Sequence, residues 1–351
     1  MDSTLFDHPI YGLAHTNKQA LLLPELQRLT QHHAQHCTEY ANLLDAFGVD
    51  PDRPPQRLED FFPLAARLFK SHRLKSIPDG QVFKTLSSSG TSGQPSRIFL
   101  DRENAALQSK VLVRIMQHWL GKQRLPLLIA DHAGVMADRQ SFSARAAGIQ
   151  GFSFLGRDPC HALKADMGCD LPALLAFVER YQDQPLLIFG FTYMVWQYLL
   201  PALEAHDIQL PQAILLHGGG WKKLQALAVD NAAFKARLAG RGIRRVHNYY
   251  GLVEQTGSVF VECEQGHLHA PLFTDVLVRD PLRGRICEPE ETGALQLFSL
   301  LPTSYPGHVL LTEDLGQVLG EDDCPCGRQG RYFRVLGRIA QAEKRGCSDA
   351  Y

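Results

Sequence analysis

The chain lacks the features that mark several protein classes. No apolar run approaches the about 18 residues that a membrane-crossing helix needs. The opening Met1-Asp2-Ser3-Thr4 has no basic segment followed by an apolar stretch, so nothing there reads as an export signal. Neither sign of charge is in excess. Thirty-six Lys plus Arg against 37 Asp plus Glu leave a net charge of −1, which gives no electrostatic case for nucleic acid as the main partner. Eight cysteines in 351 residues are too sparse for a disulfide scaffold. No internal repeat, coiled-coil heptad or low-complexity block is present. These absences leave a soluble, cytosolic protein, with neither nucleic acid nor membrane as partner, as the expectation. A hydrophobic composition of 45% supplies a core for one large domain or two moderate ones.

Periodicity gives the coarse organisation. Apolar residues recur at helical spacing over 17–45, again over 58–69 beyond a Pro-rich break at 51–55, and over 101–120. Between 127 and 238 short aliphatic runs (127–130, 186–189 and 213–216) alternate with helical patterns (171–180, 193–205 and 221–238). That alternation predicts a parallel sheet with helices packed on it. From about 258 onward, short strands at 258–263, 294–300, 308–312 and 332–336 are joined by Gly/Pro turns. The expected division is a helical region over 1–80, an α/β core over 81–257, a β-rich subdomain over 258–336 and a short hinge and mobile tail over 337–351.

The most informative segment is Ser87-Ser88-Ser89-Gly90-Thr91-Ser92-Gly93, seven small residues that favour neither helix nor strand. Glycine admits backbone conformations that bring main-chain N–H groups close to an anion, and the hydroxyls add donors. The strand-like Ser96–Leu100 follows, so the run reads as a turn held by a strand, the construction that grips a polyphosphate. A flexible serine–glycine linker is the alternative. No Gly-Lys-Ser/Thr follows, so it is not a loop of the G-x-x-x-x-G-K-[ST] type.

A second signal is Asn248-Tyr249-Tyr250-Gly251-Leu252-Val253-Glu254-Gln255-Thr256-Gly257, placed after a strand-like 245–248. An aromatic such as Tyr249 or Tyr250 can stack on a nucleobase, and a carboxylate such as Glu254 can hold Mg²⁺ against a phosphate. A surface loop with a solvated glutamate is the plain alternative. Cys263, His267 and His269 lie in one expected hairpin and Cys324-Pro325-Cys326 in another. Four of these could close a tetrahedral structural zinc site; packed thiols with a surface histidine are the alternative. Cys347 stands in Glu343-Lys344-Arg345-Gly346-Cys347-Ser348, where neighbouring cations favour the nucleophilic thiolate.

Taken in order, the serine–glycine loop, Tyr250-Gly251-x-x-Glu254, Leu311-Thr312-Glu313-Asp314 and Leu336-Gly337-Arg338 resemble the core motifs of the acyl-adenylate-forming superfamily. Within it the chain is most similar to acyl-protein synthetases, the fatty-acid-activating subunits of bacterial luminescence fatty acid reductases, which are related to phenylacetate–CoA ligase. Supporting strings are Leu74-Lys75-Ser76-Ile77-Pro78-Asp79, Lys84-Thr85-Leu86, Gly219-Gly220-Trp221-Lys222-Lys223-Leu224, Gly266-His267-Leu268-His269-Ala270-Pro271 and Arg345-Gly346-Cys347-Ser348-Asp349. The likeness covers nearly the whole chain.

The resemblance implies an adenylate-forming large α/β domain of parallel sheets, helices and a small β-rich subdomain, without a C-terminal lid domain. It implies ATP and Mg²⁺. Ser88, Ser89, Gly90, Thr91, Ser92 and Gly93 would cradle the phosphates, Gly218, Gly219 and Gly220 would let the base approach, and Tyr250, with Tyr249 and Gly251 beside it, would stack on adenine. Glu254 would hold Mg²⁺, Asp314 the ribose hydroxyls, and Arg338 ribose or phosphate. Cys347 would accept the acyl group and pass it to an acyl reductase partner. The likeness also favours His269 over His267 beside Cys263, Cys324 and Cys326 for zinc.

The chain departs from the superfamily at several positions. Arg97 stands near where many members carry a lysine, and Val253 replaces a threonine, so a phosphate contact is either lost or supplied from elsewhere, with Thr256 the candidate. Only 13 residues follow Arg338, so no lid lysine is assigned. His217 either lines the acyl pocket or ends a strand. Phe189, Phe191, Tyr193 and Trp196 either shape an acyl tunnel or fill the core. Lys222 and Lys223 read as a solvated helix face. Two rival functions remain: an acyl- or aryl-CoA ligase with Cys347 idle, and a catalytically silent nucleotide-binding scaffold.

Overall fold

In the computed structural model, which describes residues 3–88, 94–136, 144–221 and 228–339, the first helical run is two helices. α1 (His15–His36) buries Leu22, Leu26 and Leu29 along one stripe. The extended backbone of Cys37 separates it from α2 (Thr38–Ala46). The helix expected over 58–69 does not form. Pro63 has no N–H to donate and disfavours helical backbone at Phe62. Instead the two-residue strand β1 (Leu64–Ala65) is followed by a single turn, α3 (Leu68–Ser71). β2 (Lys84–Ser87) and β3 (Arg97–Leu100) form an antiparallel hairpin. α4 (Arg102–Leu120) starts where Asp101 Oδ1 accepts from the Asn104 N–H at 2.7 Å, an N-cap bond that satisfies an otherwise orphan donor.

The expected alternation of strands and helices follows. It comprises β4 (Leu125–His132), α5 (Ala144–Ser153), β5 (Gly156–Leu163), α6 (Leu171–Tyr181), β6 (Leu186–Phe191), α7 (Thr192–Met194), α8 (Leu200–Ala205), β7 (Ala213–Gly218), α9 (Asn231–Ala239) and β8 (Arg245–Tyr250). A π-helical turn, Val195–Leu199, joins α7 to α8. Of the helix expected over 221–238, positions 222–227, with Lys222 and Lys223, lie outside the described residues, 221 and 228–230 are not helical, and α9 covers the remainder. Its N-cap is Asp230, whose carboxylate accepts from the Ala233 N–H at 2.7 Å. The closing strands are β9 (Phe260–Glu262), β10 (Leu268–His269), β11 (Thr274–Arg279), β12 (Gly293–Ser299), β13 (Val309–Glu321) and β14 (Arg331–Arg338). β13 runs well past the strand expected over 308–312.

Two compact units make up the chain. One takes the described parts of 1–115, 251–261 and 267–351; the other takes 116–250 with the turn 262–266. In the first, strands run in the order β11-β12-β13-β14-β10-β9. β11 to β14 pair antiparallel in succession, β10 pairs antiparallel with β14, and β1 lies parallel to β13. A core of Tyr40, Leu44, Phe69, Leu74, Ile98, Leu100, Tyr305 and Leu310 joins the N-terminal helices to this sheet. In the second, the order is β8-β7-β6-β4-β5 with every pair parallel. β6 and β7 are buried along their whole length, as continuous aliphatic runs in a covered parallel sheet must be. Among the described residues no helix is long and apolar enough to cross a membrane.

Candidate active site and metal centre

The β2–β3 hairpin holds the ends of the serine–glycine run. Ser87 faces Arg97 in the register, and the neck closes above them. There the Ser88 N–H donates to the Ser96 carbonyl at 3.1 Å, and the Ser96 N–H donates to Ser88 Oγ at 2.9 Å. Of the six residues expected to cradle phosphate, Ser88 thus belongs to the neck; Ser89, Gly90, Thr91, Ser92 and Gly93 lie outside the described residues.

Glu254 stands on a 3-10 turn, Val253–Gln255, that its neighbours fix firmly. The Gln255 amide donates to the carbonyls of Leu297 (3.2 Å) and Gly307 (2.9 Å). Thr256 Oγ1 donates to the Val253 carbonyl at 2.7 Å, so this hydroxyl caps the turn and is not free for the phosphate contact the sequence suggested. Gly257 closes the turn at φ +87°, where a Cβ would lie 2.8 Å from the Gln108 carbonyl oxygen, so only glycine fits. The Glu254 side chain is buried, which raises its pKa. The Ser96 hydroxyl, buried and without a hydrogen bond in normal geometry, acts against that rise, and so does Lys70; Asp314 adds to it.

Asp314 and Arg338 are register partners on β13 and β14. Arg338 Nε lies 3.4 Å from Asp314 Oδ1, and its Nη2 lies 3.2 Å from Glu313 Oε2. The Asp314 N–H donates to Thr312 Oγ1 at 3.1 Å, which fixes the strand there. Lys70 on α3 reaches the same Glu313 oxygen at 3.8 Å. The structure therefore gathers Ser96, Glu254, Glu313, Asp314, Arg338 and Lys70 beside the neck of the loop. Sequence reasoning gave no role to Lys70 or Ser96: Lys70 falls just past the helix expected over 58–69, and the pairing of β1 with β13 brings it here.

In the second unit β7 ends in Gly218, Gly219 and Gly220. A Cβ on Gly218 would lie 2.5 Å from the Tyr249 ring, and one on Gly219 (φ +74°) would lie 2.7 Å from Phe191, while at Gly220 nothing lies within 4 Å. Tyr249 packs against Phe152 and Phe189, with ring centroids 4.7 and 6.3 Å away, so its ring lies under the glycine run. Tyr250, half-buried, ends β8, and Gly251 follows in the first unit. His217 is a buried strand-end residue. Its Nδ1 lies 2.9 Å from Thr192 Oγ1, which also donates to the Gly219 carbonyl at 2.8 Å, and burial pushes its pKa down to about 3. Phe189 and Phe191 are core, and Trp196 packs on Trp221 and Phe234.

Cys263 lies at the turn between β9 and β10, His269 ends β10, and Cys324 and Cys326 occupy the turn between β13 and β14. Their ligand atoms all lie within 4.8 Å of one another. A tetrahedral zinc with arms of about 2.0–2.3 Å sets its ligands roughly 3.3–3.8 Å apart. The Cys326 Sγ···His269 Nε2 separation of 3.3 Å already matches that spacing. His267 is not in the quartet; its Nδ1 lies 3.4 Å from Cys324 Sγ and its ring stacks on Tyr332 at 4.9 Å. Cys347 lies outside the described residues.

The architecture is shared with ligases of known structure. The structure superimposes on 2-hydroxyisobutyryl-CoA ligase in complex with 2-HIB-AMP with a TM-score of 0.71 at 18% identity, over 94% of this chain and 69% of that one. Against ATP-bound MatB from Rhodopseudomonas palustris the TM-score is 0.50 at 15% identity, over 75% of this chain and 49% of that one. Both show the fold. In sequence the chain is 22% identical over 336 residues to the long-chain-fatty-acid–luciferin-component ligase of Vibrio harveyi, covering 91% of this chain and 84% of that protein. The family described as acyl-protein synthetase, LuxE, matches residues 1–351. The chain accordingly belongs to the LuxE acyl-protein synthetase family and is an AMP-forming ligase that activates an acyl group.

Proposed function

We propose that the chain activates a fatty acid with ATP and then carries the acyl group on its own Cys347 for delivery to an acyl reductase partner. A carboxylate is a poor electrophile. In the first step its oxygen attacks the α-phosphorus of ATP, the bond from that phosphorus to the β-phosphate oxygen breaks, and pyrophosphate leaves with the electron pair. The product is acyl-AMP. In the second, the Cys347 thiolate attacks the acyl carbon and AMP leaves.

The enzyme's share of the first step is positioning and charge neutralisation. Ser88 and Ser96 hold the ends of the phosphate loop. Asp314 accepts from the ribose hydroxyls, and Arg338, in register with it, meets ribose or phosphate. Tyr250 stacks on adenine, and the bare backbone of Gly218 to Gly220, braced by Tyr249 beneath, leaves room for the base. Glu254 would hold Mg²⁺; it is a hard oxygen donor, buried next to a second carboxylate, Asp314, and so suits that ion, which when bound neutralises phosphate charge. Cys263, His269, Cys324 and Cys326 suit structural zinc, remote in role from the chemistry.

The single observation that carries this reading is Glu254 buried beside Ser96 at the loop's neck, with Asp314 and Arg338 paired in register next to it. The test is intact-mass measurement after incubation with ATP, Mg²⁺ and a panel of fatty acids, run alongside carboxylate-dependent pyrophosphate exchange. Exchange together with a covalent acyl increment is expected. Exchange without the increment, and with CoA-dependent AMP release, would make the chain a CoA ligase. Absence of exchange would leave a nucleotide-binding scaffold.

A further inference from the structure

The adenylation site carries three carboxylates, Glu254, Glu313 and Asp314, and must receive a polyphosphate. Two cations face it among the residues gathered there. Arg338 is committed: it lies 3.2 Å from Glu313 and 3.4 Å from Asp314. Lys70 is held loosely. Its Nζ lies 3.8 Å from Glu313 Oε2, beyond hydrogen-bonding distance, and its side chain is 34% exposed. Its backbone, in contrast, is fixed. Leu64 and Ala65 pair with Leu310 and Leu311, and the Ala66 N–H donates to the Leu311 carbonyl at 2.9 Å. One turn later Phe69 is buried edge-on against Tyr305, with centroids 5.9 Å apart. A rigid backbone thus presents a flexible ammonium five residues past β1 and beside Glu313 on β13. An ammonium has three rotatable donors and no geometric demand, which suits a phosphoryl group whose charge shifts during reaction.

We propose that Lys70 is a catalytic residue of adenylation, swinging from Glu313 onto the phosphoryl oxygens of ATP as the carboxylate attacks the α-phosphorus. It remains an ammonium throughout and transfers no proton; its charge offsets that of the departing pyrophosphate. The inference rests on the adenylation reading above and adds a residue that the loop, Tyr250-Gly251-x-x-Glu254 and Arg338 motifs do not include.

The experiment compares Lys70→Met and Lys70→Arg with the parent protein in two half-reactions: fatty-acid-dependent pyrophosphate exchange, and acyl transfer from chemically synthesised acyl-AMP. Lys70→Met is expected to lower the exchange rate about 10²- to 10³-fold, the scale of removing one preorganised group that stabilises developing charge. The fall lies in kcat more than in the KM for ATP, Lys70→Arg recovers part of it, and transfer from acyl-AMP stays within about threefold, which also reports an intact fold. Exchange by Lys70→Met within about threefold of the parent overturns the proposal. So does an equal loss in both half-reactions, which would mark a structural lysine. A parent protein that performs no exchange would instead refute the adenylation reading itself.

Discussion

Asp314 and Arg338 face each other across the β13–β14 pair, and the guanidinium bridges Asp314 and Glu313 at 3.4 and 3.2 Å. The arrangement leaves Asp314 as an acceptor whose direction is set by its neighbour. If that acceptor takes the ribose hydroxyls, Asp314→Ala should lower kcat/KM for ATP about 10- to 150-fold, the range of a hydrogen bond to a charged group. A nucleotide cycle isolates the contact. The parent should lose a similar factor with 2′,3′-dideoxy-ATP, and Asp314→Ala should lose little more with that analogue. Additive losses would place the ribose elsewhere.

The Cys263, His269, Cys324 and Cys326 quartet predicts one zinc per chain in elemental analysis of protein purified without chelator. Zinc bound only to the folded chain adds about 4 kcal/mol at a thousandfold excess over its Kd. Cys324→Ser or Cys326→Ser should therefore lose the metal and lower Tm by several degrees. Because the proposed role is structural, pyrophosphate exchange per folded molecule should survive at low temperature. Elemental analysis showing no metal, with Tm unchanged in either variant, would reduce the quartet to packed thiols.

A buried histidine pair gives the fold an acid limit. His33 Nδ1 lies 2.7 Å from Ser76 Oγ and its Nε2 lies 3.1 Å from the Pro302 carbonyl oxygen, while His308 Nε2 lies 3.0 Å from Thr30 Oγ1. The two rings sit 5.0 Å apart. Burial holds His33 well below the ordinary imidazole range and pushes His308 down to about 3. An unfolded histidine titrates near 6.5, so below that pH the unfolded chain binds more protons and stability falls. For His308 the loss continues toward pH 3 at up to about 1.4 kcal/mol per pH unit, and His33 adds to it in the same direction. Urea unfolding should show a lower midpoint at pH 5 than at pH 7, and His308→Gln should flatten that dependence. An unchanged slope in this variant would mean that other groups set the acid limit.

The candidate loops stand out in the sequence more than the elements that support them. The aliphatic runs of β4, β6 and β7 announced themselves because a parallel sheet buried on both faces needs them. β5 did not: Gly156–Leu163 contains Pro159 and neither alternates nor runs aliphatic, and its strand state comes from pairing with β4. The helix read over 58–69 failed for the same kind of reason, since a two-residue strand pairing with distant β13 overrode local periodicity. Glu254, Asp314 and Arg338, which the structure brings together, stand out in the sequence because each belongs to a short, distinctive string. Lys70 does not, because its position beside Glu313 depends on a pairing between residues nearly 250 positions apart.

In the proposed function Glu254 and Cys347 serve different half-reactions, so their variants should separate. Glu254→Ala removes a carboxylate proposed to hold Mg²⁺ and should lower pyrophosphate exchange about 10²- to 10³-fold, on the scale of losing one preorganised electrostatic group. Because no acyl-AMP forms, the covalent acyl increment should fall with it. Supplying synthetic acyl-AMP should restore the increment, since the thiol is intact. Cys347→Ser should do the reverse. Exchange should persist, because the acyl-AMP step does not touch the thiol, while no stable acyl adduct should appear from ATP or from acyl-AMP. A serine hydroxyl, far less ionised than a thiolate flanked by Lys344 and Arg345, is too weak a nucleophile to replace it. Denaturing mass spectrometry reads both variants directly. If the Cys347→Ser protein still gains the fatty acyl mass, the acceptor is another residue, and peptide mapping of that adduct would identify it.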